Sequence, residues 1–174
     1  KNMSLYVIAD LHLATADASK SMEVFGKRWH NYIEKLNNNW SRVITDNDTV
    51  IIPGDISWGL TTLDARQDLV WLNSLPGKKI ILKGNHDFWW TTASKMYRFF
   101  ENNKFDTLKI LYNNSFVVEN TVICGSRGWF SEESNQKTVG DVDWLKIVDR
   151  ETLRLKMSLE SVVSECAALQ KKVF

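Results

Sequence analysis

Lys79-Ile80-Ile81-Leu82-Lys83 runs straight into Gly84-Asn85-His86-Asp87, and this join decides how the rest of the chain is read. A short apolar run with β-branched residues has the pattern of a buried strand, and a glycine lets the backbone leave it sharply. An amide oxygen, an imidazole and a carboxylate follow within three residues, a set able to bind a metal ion or move a proton. Alone, Gly-Asn and His-Asp are ordinary turn residues. The reading therefore depends on whether other strand ends carry similar chemistry.

Two others do. The run 5–9 leads into Asp10-Leu11-His12, and the run 49–53 ends at Gly54-Asp55. Helix-period stretches separate the runs. Phe25, Trp29, Ile33, Leu36 and Trp40 share one face of a helix. A second helix is expected over 62–74, opened by Thr61 and Asp64 as a capping pair and stopped by Pro76-Gly77. Its buried stripe is Ala65, Leu69 and Leu72, and Ala93, Met96 and Phe100 mark a third helix. Strands alternating with helices predict an α/β fold with a parallel sheet, whose carboxyl edge is where sites form. Asp10 and His12, two apart on extended backbone, are expected to point to one side. The donors are hard oxygens and an imidazole, suited to Mn, Fe or Zn.

From residue 110 the pattern changes. The runs 110–112, 116–119 and 121–125 are split by Asn113-Asn114 and Asn120, spacing that calls for antiparallel hairpins. A polar loop, 126–141, precedes a long helix expected over 142–172. Its apolar seam is Leu145, Val148, Leu155, Leu159, Val162, Cys166 and Leu169, with Thr152 among them, and is expected to lie along a sheet. Val173-Phe174 has the look of another strand beginning.

At 174 residues the chain reads as a single domain, 1–174, able to bury about 70% of its unfolded surface. Its 22 basic and 21 acidic residues leave a charge of +1, so no general nucleic-acid surface is expected and no attraction to anionic membrane. No run of about 18 apolar residues is present to span a bilayer. Cys124 and Cys166 lack metal-ligand spacing and read as buried free thiols, which suits a cytoplasmic location.

Taken together, Asp10-x-His12, Gly54-Asp55 and Gly84-Asn85-His86-Asp87 resemble, in order and spacing, the first three motifs of the calcineurin-like metallophosphoesterase superfamily. The likeness spans most of residues 4–130. Gly54-Asp55-Ile56-Ser57-Trp58-Gly59 and His86-Asp87-Phe88-Trp89-Trp90 resemble uncharacterised bacterial phosphohydrolases within it. The resemblance implies a four-layer α-β-β-α sandwich with two divalent transition metals at one sheet edge. By it, Asp10 and His12 bind the first metal, Asp55 bridges both, Asn85 binds the second, and His86 donates a proton to the leaving group. The implied activity is hydrolysis of a phosphomono- or phosphodiester by a metal-activated water. The alternative is a non-catalytic scaffold or binding module of the same fold, or an inactive fragment. The assigned roles make physical sense. A bridging ligand needs two charged oxygens, as Asp55 has, and a proton donor near neutral pKa fits an imidazole.

The chain departs from that family in two places. Where many members follow Gly-Asp with an acid and an arginine, this chain has Ile56-Ser57-Trp58-Gly59. Asp87 is expected to tie down the turn more than to orient His86, and Arg127 is the best phosphate-binding candidate. The family also completes its site with late histidines, whereas this chain holds only His12, His30 and His86. His30 reads as a surface or packing residue. The expectation is a chain lacking its last strands, with an incomplete ligand set, weak binding of at most one metal, and a tendency to self-associate. Trp58, Trp89, Trp90 and Trp129 are expected to pack beneath the site loops, with stacking on an aromatic leaving group as the other use. Trp29, Trp40, Trp71 and Trp144 are expected in the core.

Overall fold

The β-branched runs become strands that stop where polar residues begin. β1 (Leu5–Val7), β2 (Thr49–Ile52) and β3 (Lys78–Ile81) pair in parallel, with Tyr6 opposite Val50 and Ile51 opposite Ile80. The computed structural model describes residues 3–128, 144–162 and 172–173. It divides the chain into two units, Lys1–Ile110 and Leu111–Phe174.

In the first unit, α1 (Tyr32–Val43), α2 (Arg66–Ser74) and α3 (Ala93–Asn103) are the crossovers of a sheet ordered β1-β2-β3-β4. Each crossover moves one strand along in the same direction, and their right-handed preference favours all three helices on one face. The expected α2 stripe of Ala65, Leu69 and Leu72 is fully buried, as are Ile52, Ile81 and Met96. Thr61 and Asp64 cap each other's backbone, Thr61 N donating to Asp64 Oδ2 at 3.0 Å and Asp64 N to Thr61 Oγ1 at 3.2 Å. The regular helix starts only at Arg66. Trp40 is buried and donates its indole N–H to the Pro76 carbonyl at 2.9 Å.

Two expectations fail in this unit. The face drawn from Phe25 to Trp40 is not one helix. Residues 18–29 form three short 3-10 turns, with Gly26 (φ 115°) between the last two and left-handed Asn31 (φ 53°) ahead of α1. Phe25 is consequently exposed. The run expected at 110–112 as a hairpin strand is instead β4 (Leu108–Ile110), parallel to β3. α3 supplies the crossover that a parallel partner needs.

The second unit holds the hairpin read from the sequence. β5 (Phe116–Val118) and β6 (Thr121–Ile123) are antiparallel, and β7 (Lys172–Val173) adds to β6 in parallel. Cys124, just past β6, is half-buried, while Cys166 lies outside the described residues. α4 runs over Trp144–Glu160, and residue 172 belongs to β7, so the helix does not extend through 142–172.

The apolar seam of α4 is on the wrong side for the expectation. Leu145, Val148, Leu155 and Leu159 are exposed, whereas Glu151 and Ser158 are buried; Val162, a seam residue just past the helix end, is buried as expected. The buried polar face is held by hydrogen bonds. Ser158 Oγ donates to the Asn114 carbonyl at 2.5 Å and accepts from Gly125 N at 3.0 Å. Arg154 donates to Glu151 at 2.7 Å and to the Tyr112 hydroxyl at 3.1 Å. The chain thus has the expected α/β fold, a parallel sheet with crossover helices and a second sheet.

Candidate metal centre

The loops leaving β1 and β2 are zipped together by an extension of the parallel ladder. Asp10 N donates to Gly54 O (3.2 Å), His12 N to Asp55 O (2.9 Å), Leu13 N to Ile56 O (2.8 Å) and Trp58 N to Leu13 O (3.0 Å). The β2 and β3 loops are pressed closer still. A Cβ on Gly54 would lie 2.4 Å from Gly84 Cα, and one on Gly84 would lie 2.0 Å from Asp55 Oδ1. Only glycine fits at either position, which is why Gly-Asp and Gly-Asn open the two loops.

Asp87 fastens this contact. Fully buried, it accepts from Asp55 N (2.9 Å), Ile56 N (2.8 Å), Gly84 N (2.8 Å) and the Trp89 indole (2.9 Å). Burial pushes its carboxyl up, against the pull of these donors. The expected turn-tying role is the one observed. Trp89 and Trp90 are buried with it, as expected of tryptophans beneath the loops. Trp129 lies outside the described residues.

A second buried carboxylate, Asp68 on α2, accepts from Thr15 N at 2.7 Å, from the Thr15 hydroxyl and from the Ser57 hydroxyl. It fastens the β1 and β2 loops to the helix behind them. Sequence reading missed it, although an acid beside the stripe Ala65, Leu69, Leu72 was the available signal.

On this frame the donor groups converge. Asp10 (φ 57°), His12 (φ 44°) and Asp55 (φ 52°) all have left-handed backbone. Such conformations are uncommon outside glycine, cost about 1–3 kcal/mol each, and cluster at functional sites. Asp10 and His12 therefore meet through a turn, not through the strand alternation expected. His12 Nε2 lies 3.7 Å from Asp10 Oδ1 and 3.8 Å from Asp55 Oδ2. Ligand atoms of His12, Asp55 and His86 all lie within 4.8 Å of one another.

These separations suit donors sharing a centre about 2.1 Å from each, and nitrogen with carboxylate oxygen suits divalent transition metals. The residues fit a metal ion. Asp55 is its best anchor. Burial works to raise its carboxyl, but the His86 backbone N–H (2.9 Å), the His86 ring and the His12 ring outweigh it and hold it below the usual carboxylate range.

His86 Nδ1 is 2.8 Å from Asp55 Oδ2, so the carboxylate that orients His86 is Asp55 itself. The His86 side chain is 42% exposed against 12% for His12. Asn85 is exposed beside it, its amide nitrogen 3.1 Å from His86 Nδ1. Arg127 belongs to the second unit, where it follows β6, whereas the cluster above comes wholly from the first. His30 is a surface residue, as read, 3.5 Å from Glu23.

Aromatic side chains line the cluster. The half-buried Trp58 ring stacks on His12 at 4.5 Å and 16°, and Phe88, exposed, sits edge-on to His86 at 6.3 Å. Tyr32 donates its hydroxyl to the His12 carbonyl at 2.8 Å. Burial, with the charge of Asp68 adding, pushes that hydroxyl up to about 12, so it remains a donor. Neither Phe88 nor Tyr32 was singled out from sequence.

The Gene 66 protein of Mycobacterium phage D29 is 34% identical over 86 residues, covering 48% of this chain and 40% of that protein. The match thus spans less than half of that relative's length. The crystal structure of a protein of unknown function from Aquifex aeolicus aligns over 98% of this chain and 87% of its own, at 17% identity and a TM-score of 0.43. A likeness of that size carries no argument about the fold. The sequence model of the calcineurin-like phosphoesterases matches residues 3–162, which takes in every strand-end loop described above. The chain belongs to the calcineurin-like phosphoesterase family.

Proposed function

We propose that this chain is a metal-dependent phosphohydrolase acting on a phosphomono- or phosphodiester. The observation that carries the reading is the convergence of Asp10, His12 and Asp55 in left-handed conformation around His12 Nε2. In this reading Asp10, His12 and Asp55 hold one cation, and Asp55 with Asn85 contributes to a second, with Mn, Fe or Zn as the candidates. Bound there, the cations would supply positive charge to neutralise the ester and to activate the attacking water.

The chain's own groups do the rest. Asp55 stays ionised, and its Oδ2 fixes the His86 ring while its Oδ1 takes the His86 backbone N–H. His86, more exposed than the other donors, is placed to hand a proton to the leaving oxygen. A cytoplasmic location is part of the reading, as expected from two cysteines far apart in the sequence. Among the described residues no helix is long and apolar enough to cross a membrane. Self-association is part of it too, supported by the exposed Leu145, Val148, Leu155 and Leu159 of α4.

The test is an aryl-phosphate and aryl-phosphodiester assay with Mn²⁺, run beside metal analysis, on the wild type and His86→Ala. Turnover should fall about 10²–10⁴-fold in the variant while metal content stays the same. Loss of metal with the ring would make His86 a ligand instead of the acid. Metal uptake by the wild type without turnover would favour the binding-module alternative.

A further inference from the structure

We propose that Trp58 is a positioning residue of the metal centre, setting the plane of the His12 imidazole so that Nε2 faces Asp10 and Asp55. The proposal rests on the metal-binding part of the reading above, not on its phosphoesterase part.

A metal-ligating histidine is ordinarily oriented through its other ring nitrogen, which donates to a carboxylate, a carbonyl or water. Among the described residues His12 has no such partner. Its Nδ1 is buried and makes no hydrogen bond among the described residues. The Tyr32 hydroxyl fixes the His12 carbonyl, and the ladder bond to Asp55 O fixes its N–H, so the backbone is held while the ring is not.

What meets the ring is the Trp58 indole, nearly parallel at 16° with centroids 4.5 Å apart. Such a stack resists rotation about the Cβ–Cγ bond, which would swing Nε2 away from the two carboxylates.

The backbone that carries the indole is itself held. Leu13 bridges Ser57 in parallel register, and Trp58 N donates to Leu13 O at 3.0 Å. On the other side Gly59 N donates to Ser57 Oγ at 3.0 Å, and a Cβ on Gly59 would lie 2.7 Å from Ala65 N. The backbone on either side of Trp58 is therefore fixed independently of its side chain. Trp58 also lies 5.3 Å from the His86 ring, at 51°, so a single indole borders both imidazoles of the cluster.

The test is Co²⁺ titration of the full chain as wild type, Trp58→Phe and Trp58→Leu, following the ligand-field absorption of the bound ion, with urea unfolding of each metal-free protein alongside. Outer-shell partners of metal ligands are typically worth 10–100-fold in affinity. Trp58→Leu should weaken Co²⁺ binding about tenfold and alter the absorption envelope. Trp58→Phe, which keeps a stacking ring, should stay within about threefold of wild type and retain the envelope. A general packing role would instead lower the urea midpoints of both variants and leave the cobalt spectrum alone.

The stack itself is checked in the metal-free protein by the His12 ring-proton shifts, displaced upfield by the indole and less so in Trp58→Phe. That measurement stands if the leucine variant fails to fold. Wild-type affinity and spectrum in Trp58→Leu, equal losses in both variants, or an absent ring-current shift would each overturn the proposal. A wild type that takes up no Co²⁺ would overturn the metal reading itself.

Discussion

α2 and α4 carry equally regular apolar stripes, and they bury opposite faces. On α2 the stripe Ala65, Leu69, Leu72 is buried, with Asp68 beside it as a buried acceptor. On α4 the stripe is exposed, and Glu151 and Ser158 are buried with Arg154 alongside. The difference lies in what each helix faces. α2 meets an apolar sheet plus the loops that Asp68 fastens. α4 meets the backbone of Asn114 and Gly125 and the hydroxyl of Tyr112, which need polar partners. Periodicity identifies a helix and its apolar side. Which side is buried depends on the partner surface, and that is not written in the helix.

The comparison is broken most severely at the carboxylate that both site loops share. Asp87→Ala would strip five N–H donors, most of them buried, of their acceptor. It should cost about 4 kcal/mol or more, seen as a collapse of the urea midpoint. A loss under about 1 kcal/mol would mean that the loops hold without it.

Lys79 offers a sharper contrast, a buried cation that makes no close ion pair among the described residues, with Asp46 acting on it only through its charge. Its ammonium donates to the Leu75 carbonyl and to Thr107 Oγ1, and burial pushes it down from 10.5 to about 8. The folded state gives up this proton before the unfolded state does. Between pH 8 and 10.5 the unfolded chain holds more protons, so stability rises with pH there. Below pH 8 the cost, about 3 kcal/mol, is present in full. Lys79→Met should gain most over wild type near pH 7, and the gap should narrow toward pH 10.5. A gap independent of pH in urea melts would contradict this.

The two helices themselves can be set against each other. Leu72→Ala on α2 should cost about 3 kcal/mol, and Leu155→Ala on α4 under about 0.5 kcal/mol. Ser158→Ala, which leaves Gly125 N without its acceptor, should cost about 1–2 kcal/mol, more than its apolar neighbour. If Leu155→Ala proved the costlier of the two α4 changes, its stripe would be covered in solution, as self-association through α4 predicts.

What was legible in the sequence divides along the same line. The three parallel strands, their alternation with helices, and the ligand-type residues past each strand end follow from local pattern and were read correctly. The frame behind the site was only half visible. The turn role of Asp87 was anticipated, but its bonds to the β2 loop, like those of Asp68 to Thr15 and Ser57, join residues far apart in the chain. The left-handed turns at Asp10 and His12 were invisible because neither residue type demands that conformation. The helix drawn through Phe25 failed because Gly26 and Asn31 break it while the apolar spacing continues across them. β4 was misread because a parallel partner for β3 and a hairpin strand have the same local pattern.

The central claim, that the β1, β2 and β3 loops build a metal centre around Asp55, is tested most directly by equilibrium dialysis against Mn²⁺ on the wild type, Asp10→Asn and Asp55→Asn. Asp10 is largely exposed, whereas Asp55 is buried between two imidazoles. The account predicts that the wild type takes up Mn²⁺, that Asp10→Asn weakens uptake, and that Asp55→Asn abolishes it. Equal losses at the two positions, or Mn²⁺ uptake undiminished in Asp55→Asn, would contradict it.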